Sequence, residues 1–137
     1  MSETSAAAPF QWPVRVYWED TDAGGVVYHA SYLRFLERAR SEWLRGLGID
    51  QMAFKKATGL AFMVRDMQID FLRPALLDDE LSVTVEVKDR RAASILFAQT
   101  VLHGDGGCLI RATVRVACVD LVRMRPAAIP ADMFTSD

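Results

Sequence analysis

One stretch, from Val16 to Leu47, constrains this chain more than any other. It reads Val-Tyr-Trp-Glu-Asp-Thr-Asp-Ala-Gly-Gly-Val-Val-Tyr-His-Ala-Ser-Tyr and continues through a charged, leucine-rich segment. The β-branched and aromatic residues of Val14 to Trp18 predict a short first strand, preceded by Pro13, which can start a strand but not continue a central one. An acidic loop containing Gly24 and Gly25 follows. Tyr32, Phe35, Leu36, Ala39, Trp43 and Leu47 then recur at the spacing of one helix face, with Arg34, Glu37, Arg38, Glu42 and Arg45 on the others. Gly46 and Gly48 follow the last periodic positions, so the helix should end near Arg45. This order sets carboxylates beside a helix N-terminus.

The rest of the chain reads mostly as strands. At 137 residues it fits one domain with a real core, expected over residues 13–137 behind a flexible tail at 1–12. Ile49 to Thr58 is weakly periodic, a connector with a helical turn around Gln51 to Lys56. From Phe62 to Leu72, Met63, Met67, Ile69 and Phe71 alternate with Val64, Asp66, Gln68 and Asp70, until Arg73-Pro74 breaks the pattern. Leu81, Val83, Val85 and Val87 alternate cleanly with Ser82, Thr84, Glu86 and Lys88, and Asp89 to Ala92 forms a charged turn. Ser94 to His103, apolar on both faces except Gln99 and Thr100, suits a central strand. Gly104-Asp-Gly-Gly107 signals a hairpin into a strand from Cys108 to Cys118. Met124 to Asp137 reads as an irregular strap. The sum is an α+β fold, one long helix against a five-stranded, largely antiparallel sheet. One helix covers only part of such a sheet, which implies self-association.

Composition removes several function classes. A net charge of -2 lacks the strongly basic face of a nucleic-acid binder. The first residues carry neither a basic start nor a long apolar run, so no signal peptide or membrane span is expected. Cys108 and Cys118, about 33 Å apart if they share one strand, are out of disulfide reach and suit a reducing cytoplasm. There is no Gly-x-Ser-x-Gly elbow, no phosphate-binding glycine loop, and no paired-His or Cys-x-x-Cys metal spacing.

What remains is Glu19-Asp20-Thr21-Asp22 followed by Ala-Gly-Gly-Val-Val-Tyr-His. Val26, Val27 and Tyr28 would exclude water from a carboxylate and raise its pKa toward that of a general base. The helix start near His29 offers free N–H groups and the positive end of a dipole, which suit an oxyanion. Two other readings stand beside this one. Asp20 and Asp22 can simply cap a turn that Gly24 and Gly25 let bend, or together bind Mg²⁺. Glu19 and Asp20 fit structural roles better than catalytic ones, and His103, beside the hairpin, reads as a solvated surface residue.

The run from Arg15 to Glu42 closely resembles the signature of the 4-hydroxybenzoyl-CoA thioesterase family. It is most similar to the YbgC-like acyl-CoA thioesterases, some of which are linked to the Tol-Pal cell-envelope system. The likeness continues through Phe71-Leu72-Arg73-Pro74, Asp78-Asp79-Glu80-Leu81 and Ile129-Pro130-Ala131-Asp132. It implies a hotdog fold, in which the sheet wraps the long helix and subunits pair as dimers, often tetramers. It also implies hydrolysis of an acyl-CoA to a carboxylic acid and CoA, with no metal or organic cofactor. By the match, the catalytic carboxylate falls on Asp22 and the N–H that polarises the thioester carbonyl on His29, with Gly25 and Tyr28 shaping the pocket. Phe62, Met63 and Phe71 are the candidates for the acyl pocket. Arg90 and Arg91 match a basic patch that meets the CoA nucleotide in a related thioesterase. Ala92 and Ala93 stand where further basic residues belong, leaving Arg73 and Arg123 as alternative cations. The rival class is a non-catalytic scaffold or sensor that binds acyl-CoA or acyl carrier protein, and a hotdog dehydratase is a second enzymatic rival.

Overall fold

A computed structural model describes residues 9–134; residues 1–8 of the tail expected at 1–12 and the end of the strap at 135–137 lie outside them. Strand β1 (Phe10–Arg15) leads through a 3-10 turn (Trp18–Asp20) to helix α1 (Ser31–Gly46) and a short helix α2 (Gln51–Thr58). Strands β2 (Leu60–Phe71), β3 (Glu80–Arg90), β4 (Ser94–His103), β5 (Cys108–Asp120) and β6 (Arg125–Pro126) follow. All pairings are antiparallel, in the order β1-β3-β4-β5-β2, with β6 added to β5. This is the expected α+β hotdog arrangement, with a two-residue sixth strand contributed by the strap.

Burial of α1 organises the interior. Tyr32, Phe35, Leu36, Ala39 and Leu44 face Val83, Val85, Ile95, Phe97, Val101, Ile110 and Val114 in one buried cluster. Each large apolar side chain fully buried there contributes about 1.5–3 kcal/mol. α1 packs against β1 and β3. β2, at the end of the sheet, keeps its outer edge unpaired among the described residues.

Two polar side chains enter the cluster. Gln99 Nε2 donates to the carbonyls of Leu36 (3.1 Å) and Thr84 (3.3 Å), and Arg40 Nη1 donates to Gln99 Oε1 (3.0 Å). The amide thereby links helix and sheet, and the Thr100 N–H turns instead to Thr84 Oγ1 (2.9 Å).

Four expectations need correction. The first strand starts at Phe10 rather than Val14 and stops at Arg15, so Phe10 to Trp12 belong to the sheet. Pro13 is accommodated because β1 is an edge strand. Residues 51–58 form a full helix, because Asp50 caps the N–H groups of Met52 and Ala53 while Gly59, at φ 73°, turns the chain out. β3 runs through Asp89 and Arg90, so the charged turn is shorter than expected.

The fourth correction concerns β2. A bulge at Arg65 shifts the register between Val64, opposite Val116, and Asp66, opposite Arg115. Phe71, Ile69 and Met67 lie opposite the buried Ile110, Ala112 and Val114, and so face α1. Beyond the bulge that face belongs to Val64 and Phe62, while Met63, opposite Ala117, lies on the other side of the sheet. The unbroken alternation expected from the sequence put Met63 and Phe71 together. The structure separates them.

Candidate active site

The loop that carries the acidic run is held mainly by its own backbone. Asp20 is 4% exposed. Its Oδ2 accepts the Tyr17 N–H (2.8 Å), and its carbonyl accepts both the Tyr28 N–H (2.8 Å) and the Ser31 hydroxyl (3.0 Å). Asp20 therefore ties the start of the loop to the start of α1. Asp22 lies on the exposed bend beyond it. The Asp22 N–H donates to Val26 O (2.9 Å), the Gly25 N–H donates to Asp22 O (3.0 Å), and the Gly24 N–H donates to Asp22 Oδ1 (2.8 Å). Among the described residues Oδ2 of Asp22 has no partner. Gly25 sits at φ 83°, which an L side chain adopts only with strain. Short bridges from Thr21 to Val27 and from Val26 to Leu76 close the loop against residues 75–79.

The valines do not form the expected dry wall around Asp22. Val27 is buried in the core and Val26 half-buried, because both are drawn into those bridges, while Tyr28 and Asp22 are exposed. The carboxylate is exposed rather than held in an apolar slot, and the groove next to its loop is reached through Val27 and His29.

That groove has a volume of about 260 Å³ and is lined by Val27, His29, Tyr32, Phe71, Leu72 and Arg73 among others. The rings of Tyr28 and His29 are 4.5 Å apart, His29 meets Phe71 edge-on at 6.4 Å, and Tyr32 lies 5.9 Å from Phe71. Tyr32 fixes the wall, since its hydroxyl accepts the Ala75 N–H (3.0 Å), and burial pushes that hydroxyl's pKa up. The His29 N–H, at the start of α1, donates to no described residue.

The structure thus gathers Asp22, Gly25, Tyr28, His29 and Phe71 at one end of the molecule. Arg90 and Arg91 lie at the other. They follow the loop-proximal start of β3 by ten and eleven residues, about 30 Å of strand. A bulge near Lys88 turns Arg90 toward the strap, where Nη2 donates to Phe134 O (2.7 Å) and the guanidinium covers the Phe134 ring. Arg91 pairs with its neighbour Asp89 at 3.2 Å. The cation beside the groove is Arg73, held 3.5 Å from Asp105. His103 is tied rather than freely solvated, with Nε2 3.3 Å from Asp79 and Nδ1 accepting the Asp105 N–H (3.1 Å). Both cysteines are free thiols, and burial pushes the Cys118 thiol pKa up. Among the described residues no three His, Cys, Asp or Glu side chains converge as a metal cluster, and no helix is long and apolar enough to cross a membrane.

The sequence reading overlooked Arg40. It falls on the buried arc of α1, one turn after Leu36, and Gln99 is the matching polar residue on an otherwise apolar strand face. Two such misfits, each needing a partner, are the signal that would have paired them.

Residues 16–135 match the model of the thioesterase-like superfamily. The chain belongs to this family. Among the curated members, Haemophilus influenzae acyl-CoA thioesterase YbgC is 51% identical over 124 residues, 90% of each chain. Escherichia coli acyl-CoA thioester hydrolase YbgC is 49% identical over 121 residues, 88% of this chain and 90% of that one. Among solved structures, a probable thioesterase from Bartonella henselae superposes with a TM-score of 0.84 at 37% identity, covering 90% of this chain and 100% of that one. This thioesterase-family chain therefore shares both sequence and fold with its relatives over nearly its whole described length.

Proposed function

We propose that this acyl-CoA thioesterase hydrolyses its substrate to a free carboxylic acid and CoA, with Asp22 as general base or nucleophile and the His29 N–H as oxyanion donor. The observation that carries the reading is an unengaged Asp22 oxygen and an unpaired His29 N–H on one loop-to-helix stretch, of which Val27 and His29 line the aromatic groove. As base, Asp22 takes a proton from water while the water oxygen attacks the thioester carbon. As nucleophile, its oxygen attacks that carbon directly, giving a mixed anhydride that water then opens. In either course the carbonyl oxygen gains negative charge opposite the His29 N–H, and the C–S bond breaks to release the thiolate.

Gly25 gives the bend that presents Asp22, while Tyr28 and Phe71 supply apolar surface for the acyl group. Arg73, on the groove wall, is the cation best placed for CoA phosphates on the same chain. Arg90 and Arg91 lie too far along β3 to serve it, and in this reading they belong at the rim of a site in an associated copy. The unpaired edge of β2, with Val64 and Phe71 exposed, supports such a dimer, from which tetramers can build.

Free-thiol release from short, long and aromatic acyl-CoAs tests the proposal, with wild type and Asp22→Asn side by side. Turnover of some member, lost in the variant, is expected. Retained turnover in Asp22→Asn would remove that residue from the mechanism, and tight binding without turnover across the panel would favour the scaffold reading.

A further inference from the structure

We infer that a separate cavity between α1 and β2, further along both elements than the groove at His29, is a second subsite, built around Arg40, for an acyl group bearing a carboxylate at its distal end. The inference deepens the thioesterase reading and rests on it.

Arg40 is only 8% exposed. A guanidinium has five N–H donors, and among the described residues only one acceptor meets them, the neutral amide oxygen of Gln99. An amide does not balance the buried charge. Glu37, one turn earlier, borders the same space but forms no ion pair with Arg40 among the described residues. Burial lowers the Arg40 pKa from its ordinary value, and Glu37 only partly opposes this. Since no buried side-chain donor is left unsatisfied, the nitrogens of the unused N–H groups keep some exposure, and Arg40 lines the adjacent cavity. It measures about 150 Å³ and is walled by Leu44, Phe62, Ile95, Phe97 and Phe134. The lining is mixed, with Glu37, Ser41 and Gln51 beside these apolar walls, and its one cationic fork, met by no carboxylate among the described residues, fits a ligand carboxylate, which it binds with two parallel hydrogen bonds.

Topology ties this cavity to the reaction. Phe71 borders the groove at His29, and Phe62 and Val64, on the same face of β2, border the Arg40 cavity. Met67 and Ile69 lie between them on that face, half-exposed. Along α1, Tyr32 and Arg40 are eight residues apart, about 12 Å. An acyl chain whose thioester sits near His29 runs along β2 and brings its far end to Arg40, with Phe134 of the strap closing the chamber.

The test measures kcat/KM by thiol release for ω-carboxyacyl-CoAs, from succinyl-CoA upward, against unsubstituted acyl-CoAs of matched length. Wild type should prefer the carboxylated chain at intermediate lengths but not at succinyl, whose carboxylate falls short of Arg40. Arg40→Met should reduce that selectivity ratio by about tenfold to a hundredfold, the loss expected for a charge-assisted hydrogen bond. Arg40→Lys, which keeps the charge but not the fork, should retain part of it, and this variant carries the test if Arg40→Met does not fold. A ratio unchanged in Arg40→Met or, if that variant does not fold, in Arg40→Lys, or a wild-type preference for plain chains at every length, would overturn the subsite while leaving the thioesterase reading intact. No thiol release from any acyl-CoA would overturn both.

Discussion

The loop from Trp18 to Val27 and the inner face of α1 keep their shapes by different means. The loop is a mesh of short hydrogen bonds around Asp20, with little apolar burial and with Asp22 exposed at its bend. The α1 face is held by close packing of side chains such as Phe35 and Leu36, fully hidden from solvent. The loop can therefore change its chemistry without disturbing the fold, whereas the helix face cannot change without the whole domain registering it. The contrast is sharpest between Asp20 and Asp22, two residues apart, one a buried fastening and the other an exposed carboxylate with one oxygen unengaged among the described residues.

Substitutions at four positions probe this contrast, from the largest effect to the smallest. Asp22→Asn should lower kcat about a thousandfold or more while shifting the melting temperature little, since the side chain is exposed. A large drop in melting temperature would make Asp22 a turn cap first and a catalyst second. Phe35→Ala should do the reverse, costing about 3–5 kcal/mol of stability by denaturant unfolding while molecules still folded turn over near the wild-type rate. Asp20→Ala sits between the two regions. It leaves the Tyr17 N–H without its acceptor, so about 1–3 kcal/mol of stability should be lost together with activity, and loss of activity alone would argue for a direct catalytic part. Gly25→Ala should cost about 1–2 kcal/mol through its left-handed backbone, with kcat reduced more than KM is raised if the bend serves to aim Asp22.

The two regions were not equally readable in the sequence. The helical stripe, the clean alternation of β3 and the glycine hairpin at 104–107 each follow from a local period or turn chemistry, and they appear in the structure where expected. The length of α2 was hidden because its capping signals, Asp50 and Gly59, are stronger than its periodicity. The Asp22 loop and its resemblance to thioesterases pointed to a site, but its exposure followed from bridges to Leu76 and Thr21, and the Leu76 bridge is a long-range pairing with no local signature. Arg90 and Arg91 matched the basic patch of a related thioesterase, yet next to a bulge in β3 they take different partners. Arg40 was hidden among the charges of α1 until the fold set it beside Gln99.

The bulge at Arg65 gives β2 something like a reading frame. From Leu60 to Val64 the strand presents one set of side chains to α1, and from Asp66 onward the complementary set, with Arg65 as the extra letter that resets the phase. Deleting that one residue would not shorten the strand so much as rotate its first part by a face. Phe62 would leave its stack on Phe54 and its contact with Phe134, and Met63 would turn in beneath α1 in its place. One lost codon would act as several simultaneous core substitutions, so variation in this strand should favour replacements over insertions or deletions.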